Sequence, residues 1–277
     1  MTVVGVLGLG AMGGPIAGHI RRAGFDVRCR DTDPEATRPL AALGARVCGS
    51  LEELAADTDV CLVCLRSDDD VLAACLPEIG LLTFLKPGAV LVVCSSVRPE
   101  TCRRLAGAAT AVDVLDAALT GGVRGAEAGE INLLVGGDEA PLLRVRPVFD
   151  AFCSGVHHLG ELGSGQIGKT VNNLIHWAQI AAIAEALSLG ARLGVPPELM
   201  RPALAAGPTD SRTLREIELM RLTWYAKDID NARRMARTVD MPLPLTDEVH
   251  RLMDHIAVPD IAALLEEGRP IDLPARE

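Results

Sequence analysis

Read for polarity alone, the 277-residue chain changes its style of patterning near residue 163. Before that point short and nearly continuous apolar runs recur: "TVVGVL" (2–7), "FDVRCRD" (25–31), "TDVCLVCL" (about 58–65), "AVLVVCSS" (about 89–96), "AVDVLDAAL" (about 111–119) and "INLLVGG" (about 131–137). A strand with one wet face alternates apolar and polar residues, whereas a run without polar relief suits a strand covered on both faces, as in a mainly parallel sheet. Helical stretches lie between several of these runs, so residues 1–162 are expected to form a doubly wound α/β domain. Beyond Gly163 the strand patterns stop. Helical periods separated by "GVPPEL", "AAGPTD" and "DMPLPLTDE" take over, which predicts an all-helical domain over residues 163–277. The tail "EEGRPIDLPARE" is polar and Pro-bearing and is expected to fray.

The two domains are expected to be linked by one long helix near residues 166–193, carried by "GSGQIGKTVNNLIHWAQIAAIAEALSLGA" and stopped by the Gly and Pro of "LGVPP". Residues three, four and seven apart share a helix face, so Lys169, Asn172, Asn173 and His176 form one narrow polar stripe in an otherwise aliphatic segment. After Lys169 only Glu185 is charged before Arg192. A solvated face would carry more charge, so the helix reads as buried with its stripe facing a cavity. Its apolar flanks suit an oligomer interface as well as a core. Within the stripe, Asn172 fits a cap or a contact between helices, and His176 fits a satisfied core histidine.

Charge narrows the field of partners. With 27 Lys and Arg against 37 Asp and Glu, the formal charge of −10 repels a phosphate backbone, so nucleic acid is not expected. No segment has about 20 apolar residues without polar relief, and the N-terminus enters a strand-like run without a basic region and cleavage site; a cytoplasmic protein is expected. The eight cysteines lie mostly within apolar runs and are expected as reduced, buried thiols. Cys61 and Cys64 have the C-x-x-C spacing of redox and zinc sites. No second Cys or His pair follows at ligand spacing, so core packing is preferred and no metal is expected.

The first apolar run flows into Gly8, Gly10 and Gly13 and then into the helical "PIAGHIRRAG". Strand, G-x-G-x-x-G and helix in that order form the fingerprint of a Rossmann-type dinucleotide site. The glycines permit a tight turn and a close backbone approach, and the helix N-terminus stabilises a diphosphate. Gly8, Gly10, Ala11, Met12 and Gly13 are therefore expected to bind the cofactor. Asp31 closes the second strand, where an acid accepts the adenosine ribose hydroxyls and repels the extra phosphate of NADP; NAD is favoured. Arg30 beside it could turn toward a 2′-phosphate instead, and Asp33 reads as a turn acid. Ser95 and Ser96 end another strand, where they could touch the nicotinamide or cap the helix "PETCRRLAG".

In "DAALTGGVRGAEAGEINLLVGGD", Thr120, Gly121 and Gly122 offer a hydroxyl and open backbone N–H groups suited to a carboxylate, or simply a glycine loop between strands. The chain here resembles the β-hydroxyacid dehydrogenase family, on four segments in order: "GLGAMGGPIA" (8–17), "DAALTGGVRGAEAGEI" (116–131), "GSGQIGKTVNN" (163–173) and "KDIDNA" (227–232). The family's substrate segment usually reads D-x-P-V-S-G-G-x-x-G-A-x-x-G-T-L. This chain has Ala118-Leu119 for Pro-Val, Thr120 for Ser and Glu130-Ile131 for Thr-Leu, departures that imply a differently shaped pocket.

The resemblance places the catalytic lysine on Lys169 and its amide partner on Asn173. A lysine can take or return the hydroxyl proton if its pKa is depressed, which burial and a nearby nicotinamide cation promote. By the same resemblance Lys227 approaches cofactor and substrate, while Asp228 holds local structure. Trp224 and Tyr225 could wall a pocket or simply pack, and Arg124 and Glu130 are further candidates to shape it. The implied function is hydride transfer between NAD and a small β-hydroxy acid or its semialdehyde or keto form, in a homodimer or homotetramer. Two other readings stand beside it: an imine or other carbonyl reductase on the same scaffold, and a non-catalytic cofactor-binding protein.

Overall fold

A computed structural model describes residues 2–76 and 79–275. The chain divides into two compact units, Met1–Lys169 and Thr170–Glu277. The first runs β1 (Val3–Leu7), α1 (Gly13–Arg22), β2 (Asp26–Arg30), α2 (Pro34–Ala42), β3 (Arg46–Val47), α3 (Leu51–Ala55), β4 (Val60–Val63), α4 (Asp68–Cys75), α5 (Leu81–Phe84), β5 (Val90–Val93), α6 (Pro99–Ala108), β6 (Asp113–Thr120), α7 (Gly122–Ala128), β7 (Ile131–Gly136), α8 (Glu139–Phe149) and β8 (Cys153–His158). The long helix α9 (Ser164–Arg192) begins in the first unit and continues into the second. There it is followed by α10 (Pro197–Ala205), α11 (Arg212–Arg215), a 3₁₀ turn (Ile217–Leu219), α12 (Tyr225–Arg237), α13 (Pro244–Met253) and α14 (Val258–Glu267).

The strands form one sheet in the order β3-β2-β1-β4-β5-β6-β7-β8. All neighbours are parallel except β6 and β7, which pair antiparallel with Asp116 opposite Gly136. The continuous apolar runs are explained by burial on both faces. Val4, Val6, Leu62, Val90 and Val92 join one core with Ile16, Ile20 and Phe149, while Leu7, Cys61, Val63, Leu91 and Val93 join another with Leu54, Val71 and Leu105. A doubly wound sheet and a helical second unit are thus present. The strand order reverses between β2-β1 and β4, so a crevice opens past the C-terminal ends of β1 and β4, the usual ligand position in such sheets.

Two strands gave no warning in the polarity pattern. β3 has two residues, both exposed, and β8 (CSGVHH) has no buried residue; each is an edge strand with a single neighbour, so neither needs an apolar run.

The second unit has one core, in which Trp177, Ile180, Ala181, Ala184 and Leu187 of α9 pack with Ile229, Val249, Leu252, Ile261 and Leu264. The expectation of a wholly buried α9 needs correction: Ile167, Val171, Ile175 and Leu189 are exposed. Aliphatic residues occupy both the packed and the open side of this helix, so composition did not reveal which side was covered. By length and composition alone Ser164–Arg192 is apolar enough to cross a membrane, although Lys169, His176 and Glu185 interrupt it. Its Trp177, Ile180, Ala184 and Leu187 side chains nevertheless belong to the core of the second unit. The tail is also better held than expected. Ile271 is buried and its N–H donates to Ser188 Oγ at 3.0 Å, while the Arg251 guanidinium donates to the Pro274 carbonyl at 3.3 Å. Residues 276 and 277 of that tail lie outside the described residues.

Candidate active site

The turn after β1 has the build of a dinucleotide cradle. Gly8 has φ +88°, and its N–H donates to the Arg30 carbonyl at 3.0 Å. A Cβ on Gly13 would collide with the Gly8 carbonyl, so that glycine lets α1 start flush against the turn. A Cβ on Gly10 would meet nothing within 4 Å: its open side faces free space. Met12 occupies the N-cap of α1 without a side-chain cap, and no acid stands in the first turn, which leaves the helix N-terminus available to an anion. Ala11 is exposed and Met12 half-buried in the same turn.

Asp31 lies at the end of β2 and reaches this turn. Its Oδ2 accepts the Leu9 N–H at 2.6 Å and its Oδ1 accepts the Asp33 N–H at 2.9 Å. Burial would raise its pKa, but these bonds and those from Thr32 outweigh it and hold the carboxyl below its ordinary range. Arg30 turns the other way: its guanidinium donates to the carbonyls of Cys48 (3.2 Å) and Gly49. Asp33 caps α2 by accepting the Glu35 N–H at 2.9 Å. Of the two serines past β5, Ser96 is exposed. Ser95 is buried, and its hydroxyl accepts the Leu65 N–H at 2.7 Å and donates to the Val63 carbonyl at 3.2 Å, so it ties β4 to β5.

At the end of β6, Gly121 (φ +114°) and Gly122 (φ +66°) turn the chain into α7. The left-handed backbone explains the glycine pair. The Thr120 hydroxyl donates to the Asn132 carbonyl at 3.1 Å. Arg124 and Glu130 flank this loop and are both exposed.

Lys169, half-buried, sits in the second turn of α9. The glycines ahead of it, in "GSGQIGK", do not make a second phosphate loop. A Cβ on Gly165 would collide with the Leu134 carbonyl, and one on Gly168 with the Leu159 side chain, so both allow helix and strand to pack closely. Because β1, β4, β5 and β6 are parallel, the Gly8–Gly13 turn, Ser96 and the Thr120–Gly122 loop lie along the same edge of the sheet. The first turn of α9 is bonded to that edge as well, Gln166 Nε2 donating to the Ser95 carbonyl at 2.9 Å.

In the second unit, Asn173 Nδ2 donates to Asp228 Oδ2 at 2.9 Å, and its Oδ1 accepts from Asn172 at 3.1 Å. Trp177 Nε1 donates to the same Asp228 oxygen at 3.1 Å, so Asp228 gathers two side chains of α9. His176 pairs through Nδ1 with the Thr213 hydroxyl at 3.1 Å. Lys227 is exposed, with its Nζ 6.0 Å from the centre of the Trp224 ring. Tyr225 packs edge-on to Trp177 and donates to Asp254 at 2.6 Å, which employs it in packing and in a surface bond.

Sequence reasoning passed over two buried residues, Asp116 of β6, which bonds the start of α9, and Gln166 within its first turn. The available signal was the acid opening "DAALTGG" within an apolar strand, an expensive residue to bury without a partner.

Residues 3–160 match the family profile described as the NAD binding domain of 6-phosphogluconate dehydrogenase. Residues 163–263 match that described as the NAD-binding of NADP-dependent 3-hydroxyisobutyrate dehydrogenase. A 3-hydroxyisobutyrate dehydrogenase of Pseudomonas aeruginosa is 36% identical over 202 residues, covering 72% of this chain and 68% of that protein. The 2-(hydroxymethyl)glutarate dehydrogenase of Eubacterium barkeri is 30% identical over 256 residues, covering 88% and 85%. Among solved structures, the Mycobacterium tuberculosis 3-hydroxyisobutyrate dehydrogenase with L-serine superposes with a TM-score of 0.82 at 27% identity, covering 92% of this chain and 93% of that one.

Proposed function

The chain belongs to the β-hydroxyacid dehydrogenase family, and from that premise we propose that it interconverts a small β-hydroxy acid and its semialdehyde or keto acid with NAD, using Lys169 to move the proton. What NAD supplies when bound is an acceptor for the hydride of the carbinol carbon. The cradle fits it: Gly10 leaves open space where a diphosphate would approach, α1 presents an uncapped N-terminus, and Asp31 offers a carboxylate of the sign that suits ribose hydroxyls and repels a 2′-phosphate. Arg30, the one residue that argued for NADP, is held by the carbonyls of Cys48 and Gly49. Exposed Ser96 is the better placed of the two serines for a cofactor contact.

The substrate carboxylate is assigned to Thr120, Gly121 and Gly122. Lys169 takes the hydroxyl proton in the oxidative direction and returns it in the reductive one, with Asn173, one helical turn on, as its amide partner. Lys227 is assigned a cationic contact to substrate and cofactor. The observation that carries this reading is that the glycine cradle, the Thr120–Gly122 loop and the anchored start of the lysine helix lie on one edge of one sheet. The protein is further read as cytoplasmic, its described cysteines all free thiols and six of them buried, and as a homodimer or homotetramer.

The test is turnover of small hydroxy acids with NAD, followed by the absorbance of the reduced nicotinamide, in wild type and Lys169→Ala. General acid–base catalysis contributes about 10²- to 10⁴-fold, and a loss of that size in kcat is expected. Equal turnover by the variant would remove Lys169 from the mechanism.

A further inference from the structure

We propose that Asp116 and Gln166 are positioning residues for Lys169: a buried carboxylate and a buried amide that fix where and at what angle the lysine helix leaves the sheet. The inference rests on the reading of Lys169 given above.

Asp116, near the middle of β6, has no exposed surface. Its Oδ1 accepts the Gly163 N–H at 2.6 Å and its Oδ2 accepts the Gln166 N–H at 2.8 Å. Both partners are donors, as an ionised carboxylate requires. Burial pushes its pKa up, and the backbone N–H groups of Gly163, Gln166 and Gly165 work against that rise. A buried carboxylate is costly unless it is bonded on all sides. Here the compensation comes from the first N–H groups of α9, which would otherwise be orphans, and from the positive end of the helix.

Gln166 completes the attachment. It is 2% exposed; its Oε1 accepts the Val97 N–H at 3.1 Å, and its Nε2 donates to the Ser95 carbonyl at 2.9 Å. The Ser95 hydroxyl in turn binds the backbone of Val63 and Leu65. The ends of β4 and β5 and the middle of β6 are thereby joined to one helical turn. The contact is close enough that a Cβ on Gly136 or Gly165 would strike the Asp116 carboxylate.

Two independent anchors on one turn define both the axial position and the rotation of a helix, which a single cap does not. Lys169 follows Gln166 by three residues, so it inherits that position with almost no intervening backbone freedom. A general base displaced by about 1 Å can lose about 10²-fold in rate. Neither Asp116 nor Gln166 is required to touch substrate or cofactor for this.

The experiment compares Asp116→Asn, Gln166→Met and Lys169→Ala with wild type. It measures kcat, KM for the hydroxy acid, the NAD dissociation constant, and the isotope effect on kcat with substrate deuterated at the carbinol carbon, all well below each variant's Tm. Asp116→Asn keeps the side-chain size but turns an amide donor on one of the two N–H groups. The expected result is a fall in kcat of about tenfold or more, KM and NAD affinity within about threefold of wild type, and a larger isotope effect as the chemical step becomes limiting. Gln166→Met should shift the same quantities in the same direction by less, and it decides the matter if Asp116→Asn does not fold. A lowered Tm with wild-type kcat and isotope effect in the folded variants would overturn the inference. So would a loss confined to KM or NAD affinity. Lys169→Ala separates the two readings: wild-type turnover there defeats the lysine assignment itself, whereas an inactive Lys169→Ala beside wild-type Asp116→Asn and Gln166→Met defeats only the positioning role.

Discussion

The Asn173 amide donates to the Asp228 carboxylate at 2.9 Å, and the Trp177 indole donates to the same oxygen at 3.1 Å. One carboxylate of α12 therefore sets the orientation of the proposed amide partner of Lys169 and satisfies a buried tryptophan. The adjacent Lys227 is exposed, its Nζ 6.0 Å from the centre of the Trp224 ring, whereas Asp228 holds α9.

Replacing Asp228 by Ala should expose this arrangement. Truncation removes the acceptor shared by the Asn173 amide and the Trp177 indole, and an unsatisfied buried donor costs about 1–3 kcal/mol. A lower Tm, a shifted emission of Trp177 and a reduced kcat are expected together. An unchanged emission spectrum would show that the indole does not depend on Asp228.

Gly10 and Gly13 should respond oppositely to the same substitution. Nothing lies within 4 Å of a Cβ on Gly10, so Gly10→Ala should leave stability within about 0.5 kcal/mol of wild type while weakening NAD binding, because the methyl group occupies the space reserved for the cofactor. Gly13→Ala drives its Cβ into the Gly8 carbonyl and should destabilise the apo protein. Thermal melts with and without NAD separate the two, and NAD affinity unchanged in Gly10→Ala would count against the cradle.

Asp68 carries a pH dependence of stability. Burial works to raise its pKa, but the Thr101 hydroxyl, the Arg98 N–H (3.0 Å) and the Arg98 guanidinium (3.2 Å) bond its carboxylate and bring the pKa below the ordinary 3.8. A depressed pKa in the folded state means that the unfolded chain binds the proton first as pH falls. The contribution is therefore complete above about pH 4 and disappears as pH drops through the lower folded value. Asp68→Asn should lower Tm at neutral pH and flatten the decline of Tm below pH 4; a parallel decline in both proteins would show that these bonds do not set the acid response.

Much of this was legible from residue order. Continuous apolar runs announced a sheet buried on both faces because strands covered by helices cannot afford alternating polar residues, and Val60 to Val63 or Val90 to Val93 show that rule directly. The Gly8–Gly13 turn was legible because the left-handed backbone at Gly8 and the close approach of Gly13 to the Gly8 carbonyl exclude side chains. The edge strands β3 and β8 were not, since an edge strand can be built from exposed polar residues that carry no period. Ser95 was read as a cofactor ligand or a helix cap. Its hydroxyl accepts the Leu65 N–H, a partner 30 residues away that no local pattern contains.

What the order of residues determined by itself is local and periodic: which segments become strands or helices, where a glycine turn opens onto a helix, and that Lys169, Asn173 and His176 share a stripe. What only the tertiary structure decided is which groups those segments meet. Asp116 and Gln166 are separated by 50 residues, and Asn173 and Asp228 by 55, before folding brings each pair within 3 Å. The physical reason is that propensity and periodicity act over a few residues, whereas the partner of a buried polar group is whatever the packing of the whole sheet or bundle delivers to it.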